Sequence, residues 1–263
     1  MTEFIDTHAH LNDAQFADDR ATAVERAKSA GVTRIINMGD TIESSAVVCR
    51  IAAEYDGCYA AVGVHPEEAR GLTAAELNNL ADLTAQPKIV AVGEIGLDYH
   101  WEKDGERREV QKRLFRQQLD MAKQLHLPVC IHDREAHEDT LKILREDGRG
   151  VRGVLHCFSG SYETALAAFR LGFMIGVDGP VTFKNTAKLP EIVAKCPRDM
   201  LLIETDAPYM APVPLRGKRN EPSYLPHIAA KVAQIWGVMP EETAQVTSAN
   251  AENLYEKLKA GCA

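Results

Sequence analysis

Short apolar segments alternate with longer amphipathic ones along the whole chain. Eight segments of three to six residues are rich in Val, Ile and Leu and are apolar almost throughout. This pattern is typical of strands that are buried on both faces of a parallel sheet. The predicted strands cover residues 4–7, 34–38, 59–64, 89–93, 129–131, 153–155, 173–177 and 201–203.

Segments with helical periodicity separate the predicted strands. The clearest helix covers about residues 106–125 and carries one apolar stripe. The stripe consists of Val110, Leu114, Phe115, Met121, Ala122 and Leu125. We expect this helix to end before Pro128, since proline disfavours helical backbone in the residue that precedes it. Two further helices, about residues 240–246 and 249–258, are predicted after the eighth strand.

Eight strand–helix alternations in about 250 residues fit a closed TIM-type (β/α)8 barrel of the α/β class. A doubly wound open sheet is the alternative, but it usually has fewer strands and a glycine-rich first turn. The first predicted strand is instead followed by the segment HAHLN, residues 8–12, which has no G-x-G-x-x-G pattern. No low-complexity tract or Pro/Gly-rich linker divides the chain. We therefore predict one domain, residues 1–263, with extra C-terminal helices.

Histidines and carboxylates stand at the ends of six of the eight predicted strands. These residues are His8, His10, His65, Glu94, His132, His156, Glu204 and Asp206. Random placement of nine histidines would not favour such a pattern. The carboxyl ends of barrel strands converge on one face, where barrel enzymes have their active sites. The sequence therefore predicts an active site on that face.

The residue types on this face predict a metal centre. His8 and His10 are two residues apart, so on a strand both rings point to the same side and can bind one ion. Glu94 and Asp206 follow apolar strands and would be buried, which is costly unless each is paired or binds a metal. A core residue with a satisfied hydrogen bond is the alternative for any one of these side chains. The convergence of several favours metal ligands.

Six protein ligands exceed the need of one catalytic zinc ion, so we predict two divalent ions. Glu94 is the expected bridge, with His8, His10 and Asp206 on one ion and His132 and His156 on the other. This mixed nitrogen and oxygen set suits Zn, Mn, Fe or Ni better than it suits Mg, although Mg also stays a candidate. Related barrels use a carbamylated lysine after strand four as the bridge. Here Lys88 precedes that strand, which disfavours this subtype.

The net charge of −8 argues against a broad basic face that grips duplex nucleic acid. Two divalent ions would return four positive charges to the site, so the net charge does not exclude a polyanionic substrate. The six cysteines lie far apart and form no C-x-x-C motif, which indicates reduced thiols in a cytoplasmic protein. We also expect no secretory signal and no membrane partner, because neither a basic start with an apolar run nor a span-length apolar stretch is visible.

With these residues assembled, the chain closely resembles the TatD family of metal-dependent deoxyribonucleases and related hydrolases. The resemblance covers essentially the whole chain and rests on eight motifs. They are DTHAHL at 6–11, GVHP at 63–66, GEIGLDY at 93–99, PVCIH at 128–132, HCFSG at 156–160, GPVTFKN at 179–185, ETDAPY at 204–209 and RGKRNEP at 216–222. The resemblance implies a barrel with two or sometimes three ions.

The resemblance also assigns roles to residues of this chain. The six predicted metal ligands fall on the family's ligand positions, and His65 falls on a substrate-side position. Some members lack the first histidine pair, whereas this chain has both. Asp133 and Asp178 depart from the residues expected at their positions, and we expect neither to touch the ligands.

For phosphodiester hydrolysis, Asp206 is the expected group that takes a proton from the attacking water, with Glu204 as a second candidate. One of these two carboxylates could instead orient a ligand histidine. His65, Arg216, Lys218 and Arg219 are predicted to contact phosphate, with a solvated loop as the alternative for the three basic residues. His100 is expected to be structural, although Trp101 beside it could stack on a base if its ring is exposed.

The sequence thus predicts a metal-dependent deoxyribonuclease that acts on DNA or another nucleic acid, a monomer without a stable protein partner. Hydrolysis of another ester, such as that of a D-aminoacyl-tRNA, is the alternative, since the same ions could polarise its carbonyl. A non-enzymatic scaffold is disfavoured by the complete ligand set.

Overall fold

Eight parallel strands form a barrel in the computed structural model, which describes residues 3–186 and 188–262. Each strand pairs with the next along the chain, in the order β1 to β8. The strands are β1 Phe4–Ala9, β2 Val32–Met38, β3 Cys58–Val62, β4 Ile89–Asp98, β5 Val129–Arg134, β6 Gly153–Leu155, β7 Phe173–Val177 and β8 Leu201–Ile203. A parallel bridge between Ala9 and Ala207 connects the chain after β8 to β1. The predicted TIM-type barrel is confirmed.

Nine α-helices occur in the described residues, and most of them cover the outside of the sheet. They are α1 Arg20–Ser29, α2 Ile42–Glu54, α3 Ala74–Leu83, α4 Gly105–Gln124, α5 His137–Glu146, α6 Tyr162–Arg170, α7 Lys188–Lys195, α8 Leu225–Trp236 and α9 Pro240–Leu254. Helices α2 and α3 begin with capping boxes at Thr41 and Thr73, which satisfy free backbone N–H groups. None of the helices described is long and apolar enough to cross a membrane.

The inside of the barrel is filled by a small apolar cluster. Ile36, Val90 and Leu202 belong to it, as does Tyr255, which follows α9 and is completely buried. The Asn250 side chain of α9 donates to the backbone oxygen of Leu201, at the start of β8. Helix α9 therefore closes the end of the barrel where the strands begin. The polar residues lie at the opposite end, which we call the mouth.

Several predictions of element boundaries were wrong, and the main differences are in β4, β5 and the C-terminal helices. Strands β4 and β5 run to Asp98 and Arg134, several residues beyond the predicted ends, because their polar ends still pair with each other, Gly96 opposite His132. The two helices predicted at 240–246 and 249–258 are one helix, α9, followed by a 3-10 turn, Glu256–Cys262. In its middle the Thr247 hydroxyl donates to the backbone oxygen of Thr243, so this polar residue is accommodated within the helix.

Candidate metal centre at the barrel mouth

The six predicted ligands come together around Glu94. Its Oε2 atom lies 3.3 Å from Nε2 of His8 and 3.5 Å from Nε2 of His10. Its Oε1 atom lies 2.9 Å from Nδ1 of His132 and 2.7 Å from Nε2 of His156. The two oxygens of one buried carboxylate thus face two separate pairs of imidazoles.

The first pair of imidazoles is completed by Asp206. The Nε2 atoms of His8 and His10 lie 3.1 Å apart, and Oδ1 of Asp206 is 3.7 Å and 3.6 Å from them. The backbone of Asp206 has a left-handed conformation, with φ of 55°. Its N–H donates to the backbone oxygen of His8, so the chain after β8 is fixed beside β1. Residues almost 200 positions apart therefore form one ligand group.

The second pair is accompanied by His65, which follows β3. Nε2 of His65 lies 3.5 Å from Oε1 of Glu94. Its Nδ1 accepts the backbone N–H of Glu67, so the proton of the neutral ring is assigned to Nε2. His65 therefore presents an N–H donor to the mouth, beside the pair formed by His132 and His156.

The charges of the centre favour metal binding. Burial opposes ionisation of Glu94, but the neighbouring imidazoles, first that of His156, outweigh burial and hold the pKa of Glu94 well below its ordinary value. Burial lowers the pKa of His8 to about 4, so that ring is neutral. Burial also disfavours charge on His132, but hydrogen bonds with Asp98 and Glu94 outweigh it and raise the pKa of His132 to about 10. His132 must therefore lose a proton before its ring can bind a metal.

Three further side chains contact the imidazoles of predicted ligands and were not among the predicted site residues. Oδ2 of Asp98 lies 2.9 Å from Nε2 of His132, and Oδ1 of Asp40 lies 3.4 Å from Nδ1 of His10. Sγ of Cys130 lies 3.2 Å from Nδ1 of His8. Asp40 follows β2 closely, so the rule of polar residues after strands could have found it. Asp98 stands in the motif GEIGLDY, but its role depends on the unpredicted length of β4.

Glu204 lies behind the ligands and is completely buried. Its Oε1 accepts the backbone N–H of Cys157 at 2.6 Å, and its Oε2 accepts the Thr7 hydroxyl at 3.2 Å. A Cβ atom at Gly176 would come within 2.5 Å of this carboxyl group, so only glycine leaves room for it. Burial raises the pKa of Glu204 well above its ordinary value. These contacts favour the supporting role for Glu204 over that of a proton acceptor.

The three basic residues after β8 have different environments. Both terminal nitrogens of Arg219 lie 2.8 Å from the carboxylate of Asp19, and its guanidinium covers the ring of Phe16. Arg216 is exposed and lies over the ring of Phe183 at 3.7 Å. Lys218 is exposed, and we find no ion pair for it within residues 3–186 and 188–262. Arg219 is therefore paired with a carboxylate of the protein, whereas Lys218 has no such partner among the described residues.

Asp178 lies nearer to the ligands than expected. Ligand atoms of Cys157, Asp178 and Asp206 all lie within 4.8 Å of one another. Burial, followed by the charge of Asp206, raises the pKa of Asp178 to about 8. Asp133 is the other residue that departs from the family pattern, and its Oδ2 lies 2.8 Å from Nδ1 of His137.

Comparison with known proteins relates this fold and site to one family. The family model described as TatD related DNase matches residues 5–256. A relative from Bacillus subtilis (strain 168), named uncharacterized metal-dependent hydrolase YabD, is 44% identical over 251 residues, which is 95% of this chain and 98% of the relative. A relative from Escherichia coli (strain K12), named 3'-5' ssDNA/RNA exonuclease TatD, is 37% identical over 95% of this chain and 98% of its own length.

Among solved structures, the chain is similar to YJJV, a TATD homolog from Escherichia coli K12. The two structures superpose with a TM-score of 0.89 at 34% sequence identity, covering 97% of this chain and 98% of the other. The similarity includes the whole barrel, so it extends to every strand that carries a predicted ligand.

Proposed function

Since the chain belongs to the TatD-related DNase family of metal-dependent hydrolases, we propose that it cleaves phosphodiester bonds of single-stranded DNA or RNA. His8, His10, Asp206, His132, His156 and the shared carboxylate of Glu94 would hold two divalent ions at the mouth, and these ions would activate the attacking water. The observation that carries this proposal is that the two oxygens of Glu94 face different imidazoles. Oε2 faces His8 and His10, and Oε1 faces His132 and His156.

The donor set fits two such ions. Four imidazoles and two carboxylates converge, and the low pKa of Glu94 and Asp206 keeps both carboxylates ionised. The carboxylate of Asp98 holds the far nitrogen of His132, as carboxylates commonly do behind metal-bound histidines. Without cations, so many buried acidic groups in one place would be costly. The arrangement therefore favours a centre with bound cations.

Two divalent ions, when bound, lower the pKa of water and neutralise charge that develops on the phosphoryl oxygens. Asp206 is the residue that accepts the proton of the attacking water, since it is ionised and its side chain is 11% exposed, whereas Glu204 is fully buried. His65 donates its Nε2 proton to a nonbridging phosphate oxygen and so orients the diester. Lys218, exposed on the loop after β8, attracts the strand.

The proposal is tested with single-stranded DNA and RNA labelled at either end, with and without divalent metal. The wild-type protein should shorten at least one of them only with metal and should bind about two equivalents of it by elemental analysis. Glu94→Ala should lose both ions and about 10³-fold or more in rate. Asp206→Asn should lose most of the rate. Glu191→Ala, which removes an exposed carboxylate from α7, is the matched control and should change neither.

Two results would contradict the proposal. One is a metal content clearly below two equivalents after reconstitution. The other is a wild-type protein that leaves both nucleic acids intact but deacylates D-aminoacyl-tRNA, which would assign the centre to a carboxylic ester instead.

A further inference from the structure

Exposed apolar side chains are concentrated at the mouth. Five large hydrophobic residues are exposed in the part of the chain that the structure describes, and four of them follow β4 or β8. They are Trp101, Tyr209, Met210 and Val213, whereas the fifth, Met239, precedes α9. Trp101 is 63% exposed, which is unusual for the largest side chain. Trp101 therefore exposes a large aromatic ring at the mouth.

Trp101 is held close to the second pair of imidazoles by Asp98. The backbone N–H of Trp101 donates to Oδ1 of Asp98 at 2.9 Å, and the other oxygen of this carboxylate is 2.9 Å from Nε2 of His132. The loop is fixed further along by Lys103, whose Nζ donates to the backbone oxygen of Tyr99 at 2.7 Å. The exposed indole ring thus lies on a loop that is hydrogen-bonded to Asp98, whose other oxygen contacts the predicted metal ligand His132.

Arg134 places a positive charge beside the indole. Its guanidinium lies 5.6 Å from the centre of the Trp101 ring. Arg134 and His132 are two residues apart on β5, so both side chains leave the strand on the same side. We find no ion pair between Arg134 and a carboxylate in residues 3–186 and 188–262. The nearby carboxylate of Glu135 is paired with His100 and Lys103 instead.

From this arrangement we infer that Trp101 and Arg134 form a nucleotide subsite next to the metal centre. One base of the substrate stacks on the indole, and Arg134 binds an adjacent phosphate. An exposed aromatic ring accepts any base, whereas a guanidinium matches the oxygens of a phosphate. Stacking needs a base that is not paired within a duplex, so the subsite selects single strands. The inference rests on the proposed nuclease function and specifies its substrate.

Tyr209 lies on the opposite side of the mouth, because β8 and β4 are half the barrel apart. Its ring centre is 6.1 Å from that of His10, and its hydroxyl donates to Asp13. A strand that extends from Trp101 towards Tyr209 would cross the metal centre between them. The scissile diester would then lie between the two aromatic side chains.

Binding is measured separately from cleavage. The probe is a short fluorescein-labelled oligothymidylate, followed by anisotropy in Ca²⁺, with a gel to verify that the strand stays intact. Trp101→Ala should weaken binding at least about fivefold, and Trp101→Phe should restore most of it, since base stacking persists on a phenyl ring. Arg134→Ala should also weaken binding and reduce the salt dependence by about one phosphate contact. Met239→Ala, an equally exposed apolar side chain away from the mouth, should bind as the wild type does.

An abasic strand of the same length tests whether the indole contacts a base. Trp101→Ala should bind this strand as the wild type does. In Trp236→Phe, Trp101 is the only tryptophan left of two, and oligothymidylate should quench its fluorescence. Unchanged oligothymidylate binding by Trp101→Ala, an equal loss for the abasic strand, or no quenching would overturn the subsite.

Hydrolysis of bis(p-nitrophenyl) phosphate, a diester without a base, separates the two proposals. The wild-type protein should hydrolyse it with divalent metal, and Met239→Ala, which lies outside the site, should match the wild-type rate. A wild-type protein that binds oligothymidylate through Trp101 but cleaves no diester would contradict the nuclease function and leave the subsite intact. A wild-type protein that cleaves DNA but binds oligothymidylate independently of Trp101 would contradict the subsite and leave the nuclease function intact.

Discussion

At the scale of single residues, one carboxylate organises the centre. Glu94 faces imidazoles from β1 with one oxygen and imidazoles from the region of β5 and β6 with the other. Asp98, four residues later on the same strand, holds the outer nitrogen of His132. Strand β4 therefore supplies both the carboxylate that we propose is shared by two ions and a carboxylate that holds the ring of a proposed ligand.

The role of Asp98 can be tested by its amide. Asp98→Asn keeps the shape but removes the charge that holds the His132 ring. We expect the affinity for one of the two ions to fall about 10–100-fold, with the other ion little affected. Competitive titration with a metal indicator measures both affinities. Asp56→Asn, at an exposed position, is the control, and an equal loss at both sites would show that Asp98 supports the whole centre instead.

The protonation of His132 gives metal binding a pH dependence. In the metal-free protein the pKa of His132 is about 10, so both ring nitrogens are protonated at pH 7. Metal binding must displace one of these two protons. Hydrogen bonds to Asp206 and Asp40 outweigh burial and also raise the pKa of His10 well above its usual value. Affinity should therefore rise with pH from about 6 to 9. Calorimetry in buffers of different ionisation enthalpy should detect at least about one proton released per protein. Affinity that stays constant over this range would contradict the prediction.

At the scale of elements, the segment after β8 is fixed to α1 by ion pairs. Arg219 binds Asp19, and Arg26 of α1 binds both Asp19 and Glu221. The two arginines and two carboxylates satisfy one another and hold the segment from Arg219 to Glu221 against the barrel. Lys218, directly before this network, has no such partner among the residues described.

Neighbouring basic residues should therefore respond differently to substitution. Arg219→Ala should lower the free energy of unfolding by about 1 kcal/mol, because its partly exposed ion pair and its contact with Phe16 are lost. Its KM for oligonucleotides should change little. Lys218→Ala should show the opposite pattern, an unchanged stability in urea and a raised KM. If Arg219→Ala raises KM without loss of stability, Arg219 contacts the substrate after all.

At the scale of the whole molecule, the barrel gathers its charges at one end. Helix α9 and Tyr255 close the other end with apolar contacts, whereas the mouth contains buried carboxylates such as Asp6, Glu94 and Asp178. Burial raises the pKa of Asp6 to about 7 and that of Asp178 to about 8, which shows how unfavourable further negative charge is there. Bound cations should therefore stabilise the fold as well as serve catalysis.

Removal of metal should lower the melting temperature. A ligand at about 100 times its Kd stabilises the folded state by about 2.7 kcal/mol per site. For a domain of this size that corresponds to about 5–10 °C per site. Thermal unfolding followed by circular dichroism, before and after treatment with a chelator, measures the difference. Glu94→Ala is the control, and its melting temperature should not change with metal. A wild-type melting temperature that the chelator leaves unchanged would contradict a binuclear centre.

The sequence by itself determined the strands, the barrel and the types of residue at the mouth. Strands β6, β7 and β8 have the predicted bounds, and α4 differs from its prediction by one residue at each end. These features are local, because apolar runs and periodicities are set by neighbours along the chain. The strand-end rule then placed His8, Glu94 and Asp206 on one face, since in a parallel barrel all strands end there.

Only the tertiary structure decided which atoms meet. Oε2 of Glu94 faces His8 and His10, whereas Oε1 faces His132, His156 and His65. Arg219 pairs with Asp19, 200 residues earlier in the chain. Such contacts depend on the path of the backbone and on side-chain rotamers, neither of which leaves a periodic signal. The same holds for β4, which continues to Asp98 because its polar residues pair with β5. Local pattern therefore predicts the elements and the chemistry available, while geometry assigns each group its partner.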